Sequence, residues 1–143
     1  MPLPQTPALT IDCVVFDSRR RVLLIRRGNA PFKGDYALPG GFVDVGETLE
    51  EACRRELMEE TGLKVGRLQL IGVYSDPRRD PRGHTCSVAY LARVTRARPK
   101  AGDDAACAEW VERWSKVGIA FDHAKILRAA ERMLRRKPTR KST

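Results

Sequence analysis

Glu56, Glu59 and Glu60 lie within five residues of one another. At about 100° per residue, Glu56 and Glu60 are i, i+4 neighbours on a helix and Glu56 and Glu59 are i, i+3 neighbours. Three carboxylates thus crowd one side of any helix through them, in a chain whose formal net charge is +9. On a helical wheel Glu60 falls between Leu49 and Cys53, at the edge of an apolar stripe. Partly desolvated like charges there would take up protons unless a cation joined them. A hard divalent ion such as Mg²⁺ suits the donors, since it takes oxygen ligands and is held by one or two carboxylates plus substrate phosphate. The competing reading is an acidic, solvated helix face.

The elements that must position these residues are legible nearby. Thr48-Leu49-Glu50-Glu51 fits the S/T-x-x-E capping box and starts the helix. Leu49, Cys53 and Leu57 recur at i, i+4, i+8 and form its core-facing stripe. Gly62 supplies the left-handed stop. Upstream, Pro39-Gly40-Gly41 is read as flexible backbone that ends a short strand at residues 36–38 and lets main chain approach a bulky ligand. Arg55 is placed to hold a neighbouring carboxylate.

Taken together, residues 41–63 read Gly41, five residues, Glu47, seven residues, Arg55-Glu56-Leu57, one residue, Glu59-Glu60, one residue, Gly62-Leu63. This segment resembles the Nudix box, G-x5-E-x7-R-E-U-x-E-E-x-G-U with U apolar, and matches at all nine specified positions. The resemblance implies a hydrolase that cleaves a nucleoside diphosphate linked to another group, with Mg²⁺ or Mn²⁺ as cofactor. It implies that Glu56, Glu59 and Glu60 supply most metal ligands and that Glu47 and Arg55 support them. Metal neutralises phosphate charge and polarises the phosphoryl oxygens. A further carboxylate from the region after residue 100 is common in the family. Asp104 and Glu109 are the candidates, with Glu56 an alternative base.

The substrate rests on softer signals. SDPRRDPRGH at residues 75–84, the strand TCSVAYLARV after it, and AFDHAKIL at residues 120–127 resemble the branch that hydrolyses ADP-ribose. Arg78, Arg79 and Arg82 on that loop suit phosphate or ribose contacts. Gly40 and Gly41 join them as substrate-side backbone. Phe16, Phe32, Tyr36 and Tyr74 are candidates for stacking on adenine, against the plainer reading that they are core. Of the two histidines, His123 is read as packing or capping.

The remaining sequence reads as one α+β domain over 1–143, with a basic tail from about 137. Apolar runs at residues 8–16 and 21–25, split by a polar turn, predict a β-hairpin. Strands are expected at 67–74, 85–94 and 108–113, and a closing helix at 122–136 with Ile126, Leu127, Ala130, Met133 and Leu134 inward. By resemblance the fold is an α/β/α sandwich, a mixed sheet between helices. The four cysteines form no CxxC pair and read as buried and reduced. No run spans a bilayer and no secretory pattern opens the chain, so a cytoplasmic protein without membrane partner is expected.

The basic balance suits an anionic partner. The arginines near the end lack interleaved aromatics, so a solvated helix terminus is favoured over an RNA-binding tail, and no nucleic-acid partner is expected. The expected activity is conversion of ADP-ribose to AMP and ribose 5-phosphate, by a homodimer as is usual in that branch. The alternatives are a housecleaning hydrolase of nucleoside triphosphates, an ADP-ribose sensor and an RNA-binding protein. Only seven residues follow Arg136, which leaves no room there for a sensor's DNA-binding domain.

Overall fold

The computed structural model describes residues 1–95 and 108–136. In chain order the elements are β1 (Ala8–Phe16), β2 (Val22–Arg26), β3 (Tyr36–Ala37), β4 (Gly40–Phe42), α1 (Leu49–Thr61), β5 (Gln69–Tyr74), β6 (Thr85–Arg93), β7 (Ala108–Val111) and α2 (His123–Arg135). A single 3₁₀ turn, Trp114–Lys116, precedes α2.

β1 organises the sheet. One edge runs parallel to β6 along its whole length, from Ala8 opposite Thr85 to Phe16 opposite Arg93. The other edge is shared between β4, antiparallel over Thr10 to Asp12, and β2, which meets it at Phe16 opposite Val22. β5 lies outside β6, while β3 and β7 pair with β2.

Both faces of this mixed sheet are covered, which is why β1 reads as a nearly continuous apolar run. Ile11, Cys13 and Val15 pack with Ala52, Cys53 and Leu57 of α1. Val14 and Phe16 point the other way, toward Ile126, Leu127 and Ala130 of α2. β6 alternates likewise, with Val88 and Tyr90 facing α1 and Ala89 and Leu91 facing α2. The fold is thus the expected sandwich, a sheet between two helices.

Local chemistry sets the ends. Asp17 closes the β1–β2 turn by accepting from the backbone N–H groups of Arg19 and Arg21 at 3.0 and 2.8 Å. Thr48 Oγ1 accepts from the Glu51 N–H at 3.1 Å, and Gly62, at φ 71°, caps the other end of α1.

Two expectations change. Gly40 and Gly41 are not a loose strand end but part of β4, laddered onto β1. A Cβ at Gly40 would overlap the Ile11 carbonyl oxygen, so the missing side chain permits strand pairing rather than slack. Cys13 and Cys53 are paired as a disulfide between β1 and α1, with Cα atoms 6.4 Å apart, instead of being separate thiols. They occupy facing positions in one cluster, a proximity that 40 residues of separation conceal. Cys86 is a free thiol, and Cys107 lies outside the described residues. Among the described residues no helix is long and apolar enough to cross a membrane.

Candidate active site

Helical spacing puts Arg55 and the glutamates on the surface of α1 that meets β4. The Arg55 guanidinium makes a two-pronged contact with Glu47, Nε to Oε2 at 2.7 Å and Nη2 to Oε1 at 2.9 Å. Its Nη1 donates to Glu56 at 2.9 Å and to Glu59 at 3.3 Å, and Nη2 also donates to the Phe42 carbonyl at 3.0 Å. One planar cation therefore ties the loop before α1, β4 and two helix carboxylates together. Bonding to Arg55 holds the Glu47 carboxyl below the usual range, and Glu47 followed by Glu56 keeps Arg55 firmly protonated.

Glu60 is in the opposite condition. It is largely buried, shares a hydrogen bond with Glu56, and receives only the Gly40 N–H, at 3.2 Å. Burial first, then the neighbouring Glu56, push its carboxyl up to about 9. Across from this pair the chain withholds bulk, since a Cβ at Gly41 would come within 2.6 Å of Glu56 Oε1.

The donors fit a hard divalent cation, being carboxylate oxygens, with no cation hydrogen-bonded to Glu60 among the described residues. The fold brings Glu56 and Glu60 together, whereas Glu59, 58% exposed, is held by Arg55. Accordingly no three acidic, histidine or cysteine side chains among the described residues already converge as a cage.

Beside β4 opens a cleft of about 100 Å³ lined by Gly40, Gly41, Arg27, Arg82, Phe121 and their neighbours. The guanidinium carbons of Arg27 and Arg82 lie 4.9 and 5.5 Å from the centre of the Phe121 ring. Phe32 meets the same ring edge-on at 4.9 Å. Burial, and then the nearby Arg82 charge, pull Arg27 below its ordinary value, so an anion placed there would relieve a real repulsion.

The three loop arginines divide. Arg78 is 93% exposed and sits by Asp76. Arg82 is half-exposed on the cleft, steadied by Asp80 at 2.8 Å. Arg79 also lines the cleft, but it is 5% exposed and grips Asp122 through Nε and Nη2 at 3.0 and 2.8 Å. Two facing carboxylates, Asp122 and Asp12, draw it inward.

Asp104 lies outside the described residues. Glu109 accepts from the Tyr36 hydroxyl at 2.7 Å. It alternates with Ala108 and Trp110, which pack toward α1, so its carboxylate takes the other face of the sheet. Of the aromatic candidates, Phe16 is core, Tyr74 and Tyr36 pack on the α2 side, and Phe32 reaches the cleft.

His123 is buried, as a packing residue should be, but is also hydrogen-bonded at both ring nitrogens' sides, to Leu38 and toward Asp12. Asp12, Arg27 and Phe121 were not singled out from the sequence. A lone carboxylate inside the apolar run ALTIDCVVF was the signal for Asp12.

The NUDIX domain model matches residues 6–136. Over 85% of this chain and 72% of the relative, the sequence is 49% identical to an ADP-ribose pyrophosphatase of Methanocaldococcus jannaschii. It is 35% identical to an ADPR-responsive transcriptional repressor of Acinetobacter baylyi, over 87% of this chain and 53% of that protein. The NUDIX domain of Shewanella oneidensis NrtR, solved in complex with ADP ribose, superposes with a TM-score of 0.83 at 29% identity, covering 91% of this chain and 90% of that one. The chain belongs to the NUDIX family, with the complete motif of its hydrolases, and is a Nudix hydrolase.

Proposed function

We propose that this protein hydrolyses ADP-ribose to AMP and ribose 5-phosphate with Mg²⁺, or Mn²⁺ in its place. The observation that carries the reading is the Glu56–Glu60 carboxylate pair, sharing a hydrogen bond beside bare Gly40–Gly41 backbone next to an arginine-lined cleft. The 49%-identical pyrophosphatase supplies the substrate class.

In this reading Glu56, Glu59 and Glu60 hold the metal, and Glu47 and Arg55 orient them. A bound divalent ion would neutralise charge on the diphosphate and acidify the attacking water. Arg55, bonded to Glu56 at 2.9 Å, holds that carboxylate turned toward the cluster. Arg27 and Arg82 attract the anionic substrate, and Phe121 with Phe32 offers it an apolar wall. The cleft is small beside the ~300–1,000 Å³ of sites that enclose whole ligands, so it takes one part of the substrate while the rest lies on open surface. Glu56 is the base candidate placed within the cluster; Asp104 keeps its candidacy from sequence. The working form is taken to be a single-domain homodimer acting in the cytoplasm, with no nucleic acid involved.

The test is Mg²⁺-dependent hydrolysis of ADP-ribose beside a nucleotide panel, with Glu59→Gln as control. AMP released from ADP-ribose, and lost in the variant, supports the reading. Turnover of triphosphates alone would replace the substrate. Binding of ADP-ribose without turnover would favour a sensor, as the ADPR-responsive repressor of Acinetobacter is.

A further inference from the structure

One wall of the cleft is formed by a largely buried charge cluster, Asp12, Arg79 and His123, to which the proposed chemistry gives no role. Asp12 points to the α2 side of the sheet from the middle of β1, 6% exposed. Ser87 Oγ donates to its Oδ2 at 2.5 Å, Arg79 Nη2 lies 3.5 Å from the same oxygen, and His123 Nε2 lies 3.3 Å from Oδ1. His123 Nδ1 in turn accepts the Leu38 N–H at 3.0 Å. That bond fixes the tautomer, leaving Nδ1 bare and the proton on Nε2, facing Asp12.

The geometry leads from there to the carboxylate pair. Leu38 is followed by Pro39, whose carbonyl accepts from Cys13 N–H at 2.8 Å, and by Gly40, which pairs with Asp12 in the β1–β4 ladder. A Cβ at Gly40 would lie 3.0 Å from Asp12 Oδ1, so carboxylate and glycine are in direct contact. The Gly40 N–H is the group that bonds Glu60.

We propose that His123 is a positioning residue: through its Nδ1 bond to Leu38, and its Nε2 contact with Asp12, it fixes the 38–40 segment and thereby the Gly40 N–H that orients Glu60. This role acts through Leu38 and Asp12, although His123 also lines the cleft. The functional consequence rests on the proposed hydrolysis; the structural link does not.

Two substitutions separate its two bonds. His123→Asn keeps an acceptor near the Nδ1 position but loses the donor to Asp12, whereas His123→Gln keeps a donor near Nε2 and loses the acceptor. The measurements are amide hydrogen exchange of Leu38 and Gly40 in metal-free protein, the ring ¹⁵N shifts of His123, and steady-state kinetics on ADP-ribose.

Wild type is expected to show a bare Nδ1. In His123→Ala and His123→Gln, exchange at Leu38 and Gly40 rises, and kcat falls about tenfold or more with KM within about twofold, as misplacement of a working group predicts. His123→Asn, which keeps the acceptor for Leu38 but not the Asp12 contact, restores most of both, and amides of β6 stay protected in every variant. Unchanged Gly40 exchange in His123→Ala, a protonated Nδ1, or rescue by Gln and not by Asn would overturn the proposal. Should His123→Ala fail to fold, the Asn–Gln pair still decides. If unaltered protein turns over no ADP-ribose, the functional reading fails, and the exchange and ¹⁵N data decide the positioning by themselves.

Discussion

Two clusters of charge, one on each side of Gly40, are built on opposite principles. On the α2 side, Asp12 and Asp122 are matched by Arg79, Ser87 and His123, and every charged group has a close partner. There the partners outweigh burial and hold Asp12 below the usual carboxylate range. On the α1 side, Arg55 satisfies Glu47 and reaches Glu56 and Glu59, but Glu60 is buried beside another carboxylate and is driven toward protonation. A satisfied cluster is scaffold. An unsatisfied one, kept against burial, is poised for a ligand, and the contrast locates where a cation belongs.

The comparison breaks most visibly if a carboxylate is removed from the unsatisfied side. Glu56→Gln is expected to lower kcat/KM on ADP-ribose at least about a hundredfold, since loss of even the partners that orient metal ligands costs 10–100-fold. Its metal-free melting temperature should change little, because Arg55 keeps its two-pronged contact with Glu47 and the amide can still accept from Glu60; a large drop would show the cluster to be structural.

The reverse profile is expected of Arg79→Ala. It removes the guanidinium shared by buried Asp12 and part-buried Asp122 and should cost about 3–5 kcal/mol in urea unfolding. Arg79→Lys should recover only part of this, having lost the two-pronged contact with Asp122. A loss under about 1 kcal/mol would mean the α2-side cluster is not the scaffold described.

Glu60 gives the contrast a pH signature. Its folded value, about 9, exceeds the 4.5 of an ordinary glutamate, so the folded state binds this proton more tightly than the unfolded chain. That contribution is complete below the unfolded value and is lost as pH rises toward the folded one. Metal-free wild type should therefore lose stability from about pH 5 to 9 relative to Glu60→Gln, and saturating Mg²⁺ should oppose the loss by replacing the proton. Parallel melting curves for the two proteins across that range would contradict it.

Smaller effects sharpen the map of the cleft. Arg27→Ala should raise KM about tenfold with kcat nearly unchanged, the cost of one charge-assisted contact. Arg78→Ala, at an exposed position, should leave kinetics alone and shift stability by less than about 0.5 kcal/mol. Equal effects of the two would erase the distinction drawn between cleft and solvent arginines.

Much of the α1 side was readable because its rules are local. Thr48 and Gly62 cap the helix by bonds within four residues, and the i, i+3 and i, i+4 spacing gathers the glutamates whatever else the chain does. The apolar run at 8–16 marked β1, and the strand expected at 85–94 is β6, Thr85–Arg93; two-sided burial explains the density of their apolar residues. The arginine loop was legible as a loop but not residue by residue. Nothing local distinguishes Arg78 in solvent from Arg79 clamped on Asp122, 43 residues away.

The sequence by itself thus determined the carboxylate helix, its caps, the Arg55 pairing within reach of it and the strands other than β4, all set by contacts a few residues apart or by local apolar patterning. Only the tertiary structure decided which partners met. It seated Gly40 against Asp12, joined Cys13 to Cys53, brought Arg27 from β2's end beside Arg82 and Phe121, and set His123 under Leu38. Those contacts span tens of residues, and which of them form depends on how the sheet closes and which faces the helices cover. Local spacing carries no information about that.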